Sequence, residues 1–167
     1  MVIWILGLSG SGKTLLSKKI KNKINSYKKF ITIDGDQFRK HFSNDLGYSY
    51  NERKKNAERI SKLVKFLNDN KINLIVSVLS NFPKWLNWNR KHIDNYFEIY
   101  IKVNKKILFI RNKKKLYKSK KKNVVGKDIK FNEPKKPDLV FKNDFKKKKL
   151  DIFLNKVVAI IKSKNLK

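Results

Sequence analysis

The chain contains no cysteine and only two histidines among its 167 residues. Without cysteine there is no disulfide scaffold, no thiolate metal site and no cysteine nucleophile. Two histidines are too few for a metal site built from imidazole groups. There is also no run of 18 apolar residues, which excludes an ordinary membrane-spanning helix, and the first residues lack the basic segment of a signal peptide. We therefore expect a cytoplasmic protein without a membrane partner.

Acidic residues and arginines are scarce as well. The chain has 13 Asp and Glu against 43 Lys and Arg, which gives a formal net charge of +30, and only five of the basic residues are arginine. Proteins that bind nucleic acids commonly use arginine for bidentate contacts to bases and phosphates. An excess made of lysine instead indicates a solvated basic surface, so we expect no specific nucleic-acid partner.

Hydrophobic residues make up 40% of the chain, enough for the core of one domain of this length. Apolar runs predict strands at residues 2–6, 30–33, 74–79, 97–103 and 139–141. Helical spacing and breakers predict helices at residues 13–25, 51–70, 83–93, 105–111 and 150–161. This alternation indicates an α/β fold of three layers, with helices on both faces of a mostly parallel five-stranded sheet. The polar residues 112–137 have no period, which is typical of a functional loop or lid.

A glycine-rich motif follows the first predicted strand, with the sequence Gly7-Leu8-Ser9-Gly10-Ser11-Gly12-Lys13-Thr14. It fits the pattern G-x-x-x-x-G-K-S/T between a strand and a helix, which is the context of a phosphate-binding P-loop. Its backbone N–H groups can turn toward phosphate oxygens, and the helix N-terminus adds its dipole. We expect Lys13 to reach the β- and γ-phosphates of a nucleoside triphosphate, and Thr14 to bind Mg²⁺. The predicted fold is therefore that of a P-loop NTPase, with donor contacts from Gly7, Ser9, Gly10, Ser11, Gly12, Lys13 and Thr14.

Two carboxylates, Asp34 and Asp36, flank Gly35 at the end of the second predicted strand. In a parallel sheet the carboxyl ends of the strands face the ligand crevice. One carboxylate can hold Mg²⁺ through water, while the other accepts a proton from a hydroxyl nucleophile. The alternative is an ordinary turn, because Asp and Gly favour turns.

Arginines are concentrated in one short region, although they are rare elsewhere. The set consists of Arg39, Arg53, Asn56 and Arg59. The last three members are spaced three apart and therefore lie close together on one helix face. Because the guanidinium fork suits anions, we interpret the set as an anion site. The alternative is a solvated helix face whose arginines pair with Glu52 and Glu58.

Together these motifs resemble the adenylyl-sulfate kinase (APS kinase) family. The similarity continues in the same order through residues 76–80, 97–103 and 111–118, and ends near Gly126, Asp128, Pro134 and Pro137. The resemblance implies one kinase domain over residues 1–167, with a lid at about 112–137. It implies transfer of the γ-phosphate of ATP or GTP, with Mg²⁺, to the ribose 3′-hydroxyl of a nucleotide such as adenylyl sulfate. It also implies a homodimer and a role in sulfate assimilation.

The resemblance assigns roles to particular side chains. Asp36 corresponds to the base that contacts the 3′-hydroxyl and Asp34 to the metal-side carboxylate, so that the expected catalytic residues are Asp36, Asp34 and Lys13. Thr14 and Asp34 are the expected metal ligands. Arg111 corresponds to a donor contact at the start of the lid. Tyr48 corresponds to an aromatic that stacks on the acceptor base. The acceptor-binding residues that it implies are Arg39, Tyr48, Arg53, Asn56, Ser80 and Lys118.

Three departures from the family pattern concern the acceptor. The pattern Ser-Pro-aromatic-Arg is replaced by Ser80-Asn81-Phe82-Pro83, and Phe-Thr-Gly-Ile-Asp by Val124-Val125-Gly126-Lys127-Asp128. The pattern Gly-Leu-Tyr-Lys-Lys is altered to Lys115-Leu116-Tyr117-Lys118-Ser119. The missing Phe is the second plate around adenine, and such a stack contributes about 1–3 kcal/mol. These departures resemble related enzymes of surface-polysaccharide modification, one of which phosphorylates cytidine diphosphoramidate on the route to capsular phosphoramidate.

Three functions therefore remain open at the level of the sequence. A kinase could act on adenylyl sulfate, with its pattern eroded by AT-rich codon drift, or on cytidine diphosphoramidate, with a pyrimidine replacing adenine. A protein of another class could keep the fold and bind nucleotides or RNA without catalysis. The intact Lys13, Asp34 and Asp36 argue against this last function.

Overall fold

In a computed structural model of the chain, strands and helices alternate from the first residues onward. The structure describes residues 1–24, 26, 28–79, 82–111 and 115–164, the last without its side chain. The strands are β1 (Val2–Leu6), β2 (Ile31–Asp34), β3 (Leu74–Val78), β4 (Tyr96–Lys102) and β5 (Leu139–Lys142). The helices are α1 (Lys13–Ile24), α2 (Gly35–Phe42), α3 (Tyr50–Asp69), α4 (Pro83–His92), α5 (Lys105–Arg111) and α6 (Lys147–Lys164). The predicted elements are all present, and their ends differ from the predicted ones by at most three residues.

The five strands form one sheet in the order β2-β3-β1-β4-β5, and each described pair is parallel. All five residues of β1 are buried. Val2, Trp4 and Leu6 pack with α3 and α4 on one face, while Ile3 and Ile5 pack with α1 and α6 on the other. Fully burying an aliphatic side chain of this size contributes roughly 1.5–3 kcal/mol. The predicted three-layer α/β architecture is therefore confirmed.

Helix α2 was not expected, because Asp34-Gly35-Asp36 is typical of a turn. The Asp34 side chain caps this helix, since its Oδ1 accepts hydrogen bonds from the backbone N–H of Asp36 at 3.0 Å and of Gln37 at 3.4 Å. Within this helix, Phe38 is buried and its ring stacks on that of Phe42, with ring centroids 5.2 Å apart. The cap and this pair of rings stabilise a short helix that carries Asp36 in its first turn.

The loop before α3 is fixed by a capping box. The Ser49 hydroxyl accepts from the Glu52 backbone N–H, and the Glu52 carboxylate accepts from the Ser49 backbone N–H at 3.0 Å. The same carboxylate accepts from the Gly47 backbone N–H at 2.9 Å. Hydrogen bonds from the Ser49 side chain and from the Gly47 and Ser49 amides hold the pKa of Glu52 below its usual value. Tyr48, between these anchors, therefore has a fixed backbone.

Residues 115–137 contain no helix or strand, as predicted for a functional loop, and one isolated bridge joins Val125 to Ile129. The segment nevertheless buries four apolar side chains, which are those of Tyr117, Val124, Val125 and Phe131. Gly126 has a φ of +93°, and a Cβ there would lie 2.9 Å from Leu8 Cδ2 in the P-loop. The segment therefore packs closely on the P-loop. Among the residues that the structure describes, no helix is both long and apolar enough to cross a membrane.

Candidate active site

A cleft of about 640 Å³ opens beyond the carboxyl ends of β2 and β3, next to the P-loop. The structure brings most of the predicted site residues together along its walls. These are Ser9, Gly10, Gly12, Lys13, Thr14, Asp34, Asp36, Arg39, Tyr48, Arg53, Asn56 and Arg111. Gly7 and Ser11 belong to the P-loop but do not line the cleft, and Lys118 is exposed outside it. Ser80 lies outside the described residues.

The P-loop holds its lysine in a folded position. Lys13 Nζ donates hydrogen bonds to the carbonyl oxygens of Gly7 at 2.9 Å and Leu8 at 2.8 Å. Gly12 has a φ of +103°, and a Cβ there would lie 3.0 Å from the Asn143 amide. That amide donates to the Ser11 carbonyl at 2.9 Å and so holds the loop from behind. The loop is thus held in shape, with the Lys13 ammonium group folded back onto two of its carbonyl oxygens.

Asp34 links the P-loop to α2. Its Oδ2 accepts a hydrogen bond from the Thr14 hydroxyl at 2.9 Å, while its Oδ1 caps the helix. Asp36 follows in the first turn of α2, where it is exposed and lines the cleft. The two carboxylates therefore have different surroundings. Asp34 is held by an alcohol and by backbone amides, while Asp36 faces the space between the P-loop and the arginines.

Two of the predicted arginines surround Tyr48. The Cζ atoms of Arg39 and Arg53 lie 4.8 and 5.1 Å from the centre of its ring. Arg39 Nη1 donates to the carbonyls of Leu46 at 3.2 Å and Gly47 at 2.7 Å. Burial lowers the pKa of Arg53 and the Arg39 charge lowers it further, while Tyr48 and Asp36 act in the opposite direction. The two cations thus brace the loop that presents Tyr48 to the cleft.

Arg53 also ties the loop that carries Tyr48 to residues 115–137, the described part of the predicted lid, called the lid segment below. Its Nε donates to the Tyr48 carbonyl at 2.9 Å, and its Nη2 donates to the Asn123 carbonyl at 2.9 Å. A second tie joins the segment to the P-loop, where the Tyr117 hydroxyl donates to the Ser9 carbonyl at 2.9 Å. Burial raises the pKa of Tyr117 to about 12, so the hydroxyl keeps its proton at neutral pH. The segment is therefore anchored to both halves of the cleft.

Asn56 and Arg59, which were predicted to share one anion site, lie in different surroundings. Asn56 lines the cleft, is 9% exposed, and its Oδ1 has no hydrogen-bond partner among the described residues. Arg59 does not line the cleft. Its Nη1 and Nη2 contact the Asp45 carboxylate at 2.5 and 2.7 Å. The interpretation of Arg59 as part of an anion site is therefore wrong, because its guanidinium stabilises the Asp45 loop instead.

The expected acidic partners of that helix face are also elsewhere. Glu52 closes the capping box of α3. Glu58 pairs with Lys62 one turn along, at 2.8 Å. The alternative of a solvated face therefore describes the surroundings of Arg59 correctly but names the wrong partners.

Some cleft residues were not singled out from the sequence. Lys121 and Lys122 line the cleft from the lid segment, and Phe145 lines it from the loop before α6. The Arg111 guanidinium lies 3.9 Å from the centre of the Phe145 ring. A guanidinium this close to an aromatic ring is stabilised by a cation–π interaction, and both groups line the cleft. The lysine run at 120–122 is visible in the sequence, but composition does not reveal which of its members line the cleft.

For the phosphoryl transfer that the resemblance implies, replacing Lys121 and Lys122 together by Ala is expected to lower kcat/KM by roughly 10- to 100-fold, because a charge-assisted hydrogen bond contributes about 1.5–3 kcal/mol. Steady-state kinetics at constant ionic strength would measure this effect. Lys120→Ala is the matched control, since Lys120 is exposed and does not line the cleft. A larger loss in Lys118→Ala than in the double variant would instead support the lid lysine that the resemblance implies.

A sequence profile described as Adenylylsulphate kinase matches residues 1–142. The chain belongs to this family. The resemblance to APS kinases is therefore confirmed, and with it the P-loop kinase fold. The Mycobacterium tuberculosis APS kinase, solved in complex with AMPPNP and APS, superposes with a TM-score of 0.84 at 27% identity, over 96% of each chain.

Two relatives of the chain carry different names. Cytidine diphosphoramidate kinase from Campylobacter jejuni is 37% identical over 164 residues, covering 93% of this chain and 95% of that protein. A probable adenylyl-sulfate kinase from Archaeoglobus fulgidus is 32% identical over 148 residues, covering 86% and 96%. Membership of this family, together with the P-loop, supports a nucleotide kinase.

Proposed function

We propose that this kinase transfers the γ-phosphoryl group of a nucleoside triphosphate to the ribose 3′-hydroxyl of a nucleotide that carries an anhydride-linked anion. The observation that carries the proposal is that Lys13 and Asp36 line one cleft. Arg39 and Arg53 line the same cleft, on the side assigned here to the acceptor. A volume of about 640 Å³ lies within the range of small-molecule sites. The cleft thus offers a donor site, a base and cations for a second anion. Its donor would be ATP or GTP, and ATP is favoured by the AMPPNP bound to the M. tuberculosis relative.

The residues present also fit Mg²⁺. This cation prefers oxygen ligands and usually takes only one or two from the protein, with water and phosphates completing its shell. Thr14 and Asp34 provide a hydroxyl and a carboxylate whose oxygens lie 2.9 Å apart beside the P-loop. Bound there, Mg²⁺ would neutralise the charge of the phosphates during transfer.

The reaction requires positioning more than covalent work by the protein. Asp36 accepts the proton of the 3′-hydroxyl as the acceptor oxygen bonds to the γ-phosphorus and the bond from phosphorus to the β,γ-bridging oxygen breaks. Lys13 holds the donor phosphates. Arg39, Arg53 and the Asn56 amide bind the acceptor's anion, for which each guanidinium has N–H groups beyond those given to carbonyls.

Two acceptors suit the cleft, and we favour cytidine diphosphoramidate over adenylyl sulfate. Val124 is buried and lines the cleft at the position where the family pattern has the second aromatic plate. A purine loses more stacking by this change than a pyrimidine does. The Campylobacter relative supports the same choice, while the other relatives support adenylyl sulfate. The acceptor also decides between capsule modification and sulfate assimilation, and the homodimer stays a prediction.

An acceptor panel tests the proposal. With Mg²⁺ and ATP or GTP, we expect transfer to cytidine diphosphoramidate at a higher kcat/KM than to adenylyl sulfate, with ³¹P NMR locating the new phosphate on the 3′ oxygen. The 3′-deoxy form of each acceptor is the control and should give no product. Val124→Phe should shift the preference toward adenylyl sulfate, because the new ring stacks more on adenine than on cytosine, and by less than the 5- to 150-fold that about 1–3 kcal/mol for one whole base stack corresponds to.

Two outcomes would contradict the proposal. A transferred phosphate at a position other than the 3′ oxygen would contradict the proposed placement of the acceptor. No product with any nucleotide, combined with tight and salt-dependent RNA binding, would favour the non-catalytic function.

A further inference from the structure

Ser77 in β3 has a buried hydroxyl that the packing does not explain. The residue is 3% exposed, and its Oγ has no hydrogen-bond partner among the described residues. A buried polar group left unpaired costs about 1–3 kcal/mol, so such a group calls for a structural reason. The residue also lines the cleft.

The strand register places Ser77 beside the metal-side residues. Ser77 pairs with Asp34 of β2 and with Ile5 of β1. Residues paired across parallel strands point to the same face of the sheet. Ile5 lies on the face covered by α1, where it packs with Leu16 and Ile20. Ser77 therefore points toward α1, whose first turn carries Thr14.

Burial alone does not distinguish Ser77. Ser43 and Ser61 are also fully buried, and their hydroxyls likewise lack a partner among the described residues. Neither of them lines the cleft. Ser77 combines the unpaired hydroxyl with a place in the cleft wall and a position next to Asp34, and this combination suggests a role with the ligand.

We propose that Ser77 is a positioning residue for the divalent cation that accompanies the donor nucleotide. Its hydroxyl hydrogen-bonds the Asp34 carboxylate, or a water held between that carboxylate and the cation, once the donor is bound. A hydroxyl can donate and accept at the same time, and Mg²⁺ keeps several waters in nucleotide sites. The inference rests on the proposed function only in its use of a metal-bound donor, and not on the acceptor.

The test is a titration of donor binding with Mg²⁺. Removing a group that orients metal ligands typically weakens metal affinity by about 10- to 100-fold. In Ser77→Ala we therefore expect the Mg²⁺ concentration for half-maximal binding of a non-hydrolysable ATP analogue to rise by about 10-fold or more. Calorimetry of the analogue in EDTA should give the same affinity for the variant as for the unchanged protein.

Control variants separate this effect from packing. Ser43→Ala and Ser61→Ala remove equally buried hydroxyls outside the cleft and should leave the Mg²⁺ titration unchanged. Ser77→Cys keeps the side-chain volume with a weaker hydrogen-bonding group, so an intermediate shift is expected even where Ser77→Ala proves unstable.

An unchanged Mg²⁺ requirement in both Ser77 variants would overturn the inference, and so would an equal loss of binding in EDTA. The titration needs no acceptor, so its failure is separate from failure of the proposed function. A protein that binds the Mg²⁺–nucleotide normally but phosphorylates no acceptor would contradict the function and leave the role of Ser77 intact.

Discussion

Replacing Asp36 by Asn is expected to lower kcat by about 10²- to 10⁴-fold, the usual contribution of general base catalysis. Affinity for the Mg²⁺–nucleotide should be essentially unchanged. The amide keeps the shape of the carboxylate but cannot take the proton of the 3′-hydroxyl. The Thr14 hydroxyl of the P-loop donates to Asp34, which Asp36→Asn leaves in place. Single-turnover kinetics with saturating donor and acceptor, together with calorimetry of donor binding, would measure the two quantities separately.

Asp69→Asn provides the matched control for this substitution. Asp69 is an exposed aspartate at the end of α3, where it pairs with Lys65 outside the cleft. Its replacement removes the same charge without touching the site, so kcat should not change. Near-normal turnover in Asp36→Asn would remove Asp36 from the role of base, and a similar loss in both variants would indicate a general effect of charge.

Replacing Lys13 by Ala should weaken donor binding and lower kcat by about 10²- to 10³-fold, the range seen when one preorganised group that stabilises transition-state charge is removed. In the structure the ammonium group bonds the carbonyls of Gly7 and Leu8. On donor binding it would exchange such contacts for phosphate oxygens, whose negative charge grows on the leaving group during transfer. Donor affinity by calorimetry and kcat by steady-state kinetics would measure both losses.

Lys18→Ala is the control for the loss of a cation from α1. Lys18 lies on the same helix, is exposed and does not line the cleft. Both kinetic constants should stay at the level of the unchanged protein. A Lys13 variant with unchanged donor affinity and kcat would contradict the assignment of the donor phosphates to this loop.

The fold was predictable because its signals are local. The apolar run of β1 leads directly into the glycine-rich loop and then into α1, so one short stretch indicates strand, phosphate site and helix together. Helix α2 lacks such a signal, since it is short and begins at Asp34-Gly35-Asp36. Its stability comes from a side-chain cap and from Phe38 packing into the core, and the second of these depends on the fold.

The lid segment shows why contacts distant in sequence escape local patterns. Its buried residues Tyr117, Val124, Val125 and Phe131 are too irregularly spaced to show a period, yet they pack against the P-loop side of the molecule. The partner of Arg59 is Asp45, 14 residues away and across a turn, whereas helical spacing had suggested nearby glutamates. In the lysine-rich stretch, identity and spacing alone could not separate Lys118, which lies outside the cleft, from Lys121 and Lys122, which line it.

The double role of Asp34 has a thermodynamic consequence. One oxygen of this carboxylate accepts a hydrogen bond from the Thr14 hydroxyl, beside the proposed donor site, and the other caps the helix that carries Asp36, the proposed base for the acceptor. Binding that reorients the carboxylate at one end must therefore alter the free energy of the helix cap at the other. Such linkage is reciprocal, so any factor by which the donor tightens the acceptor equals the factor by which the acceptor tightens the donor. A single side chain can in this way make the two substrates cooperative without a rearrangement of domains.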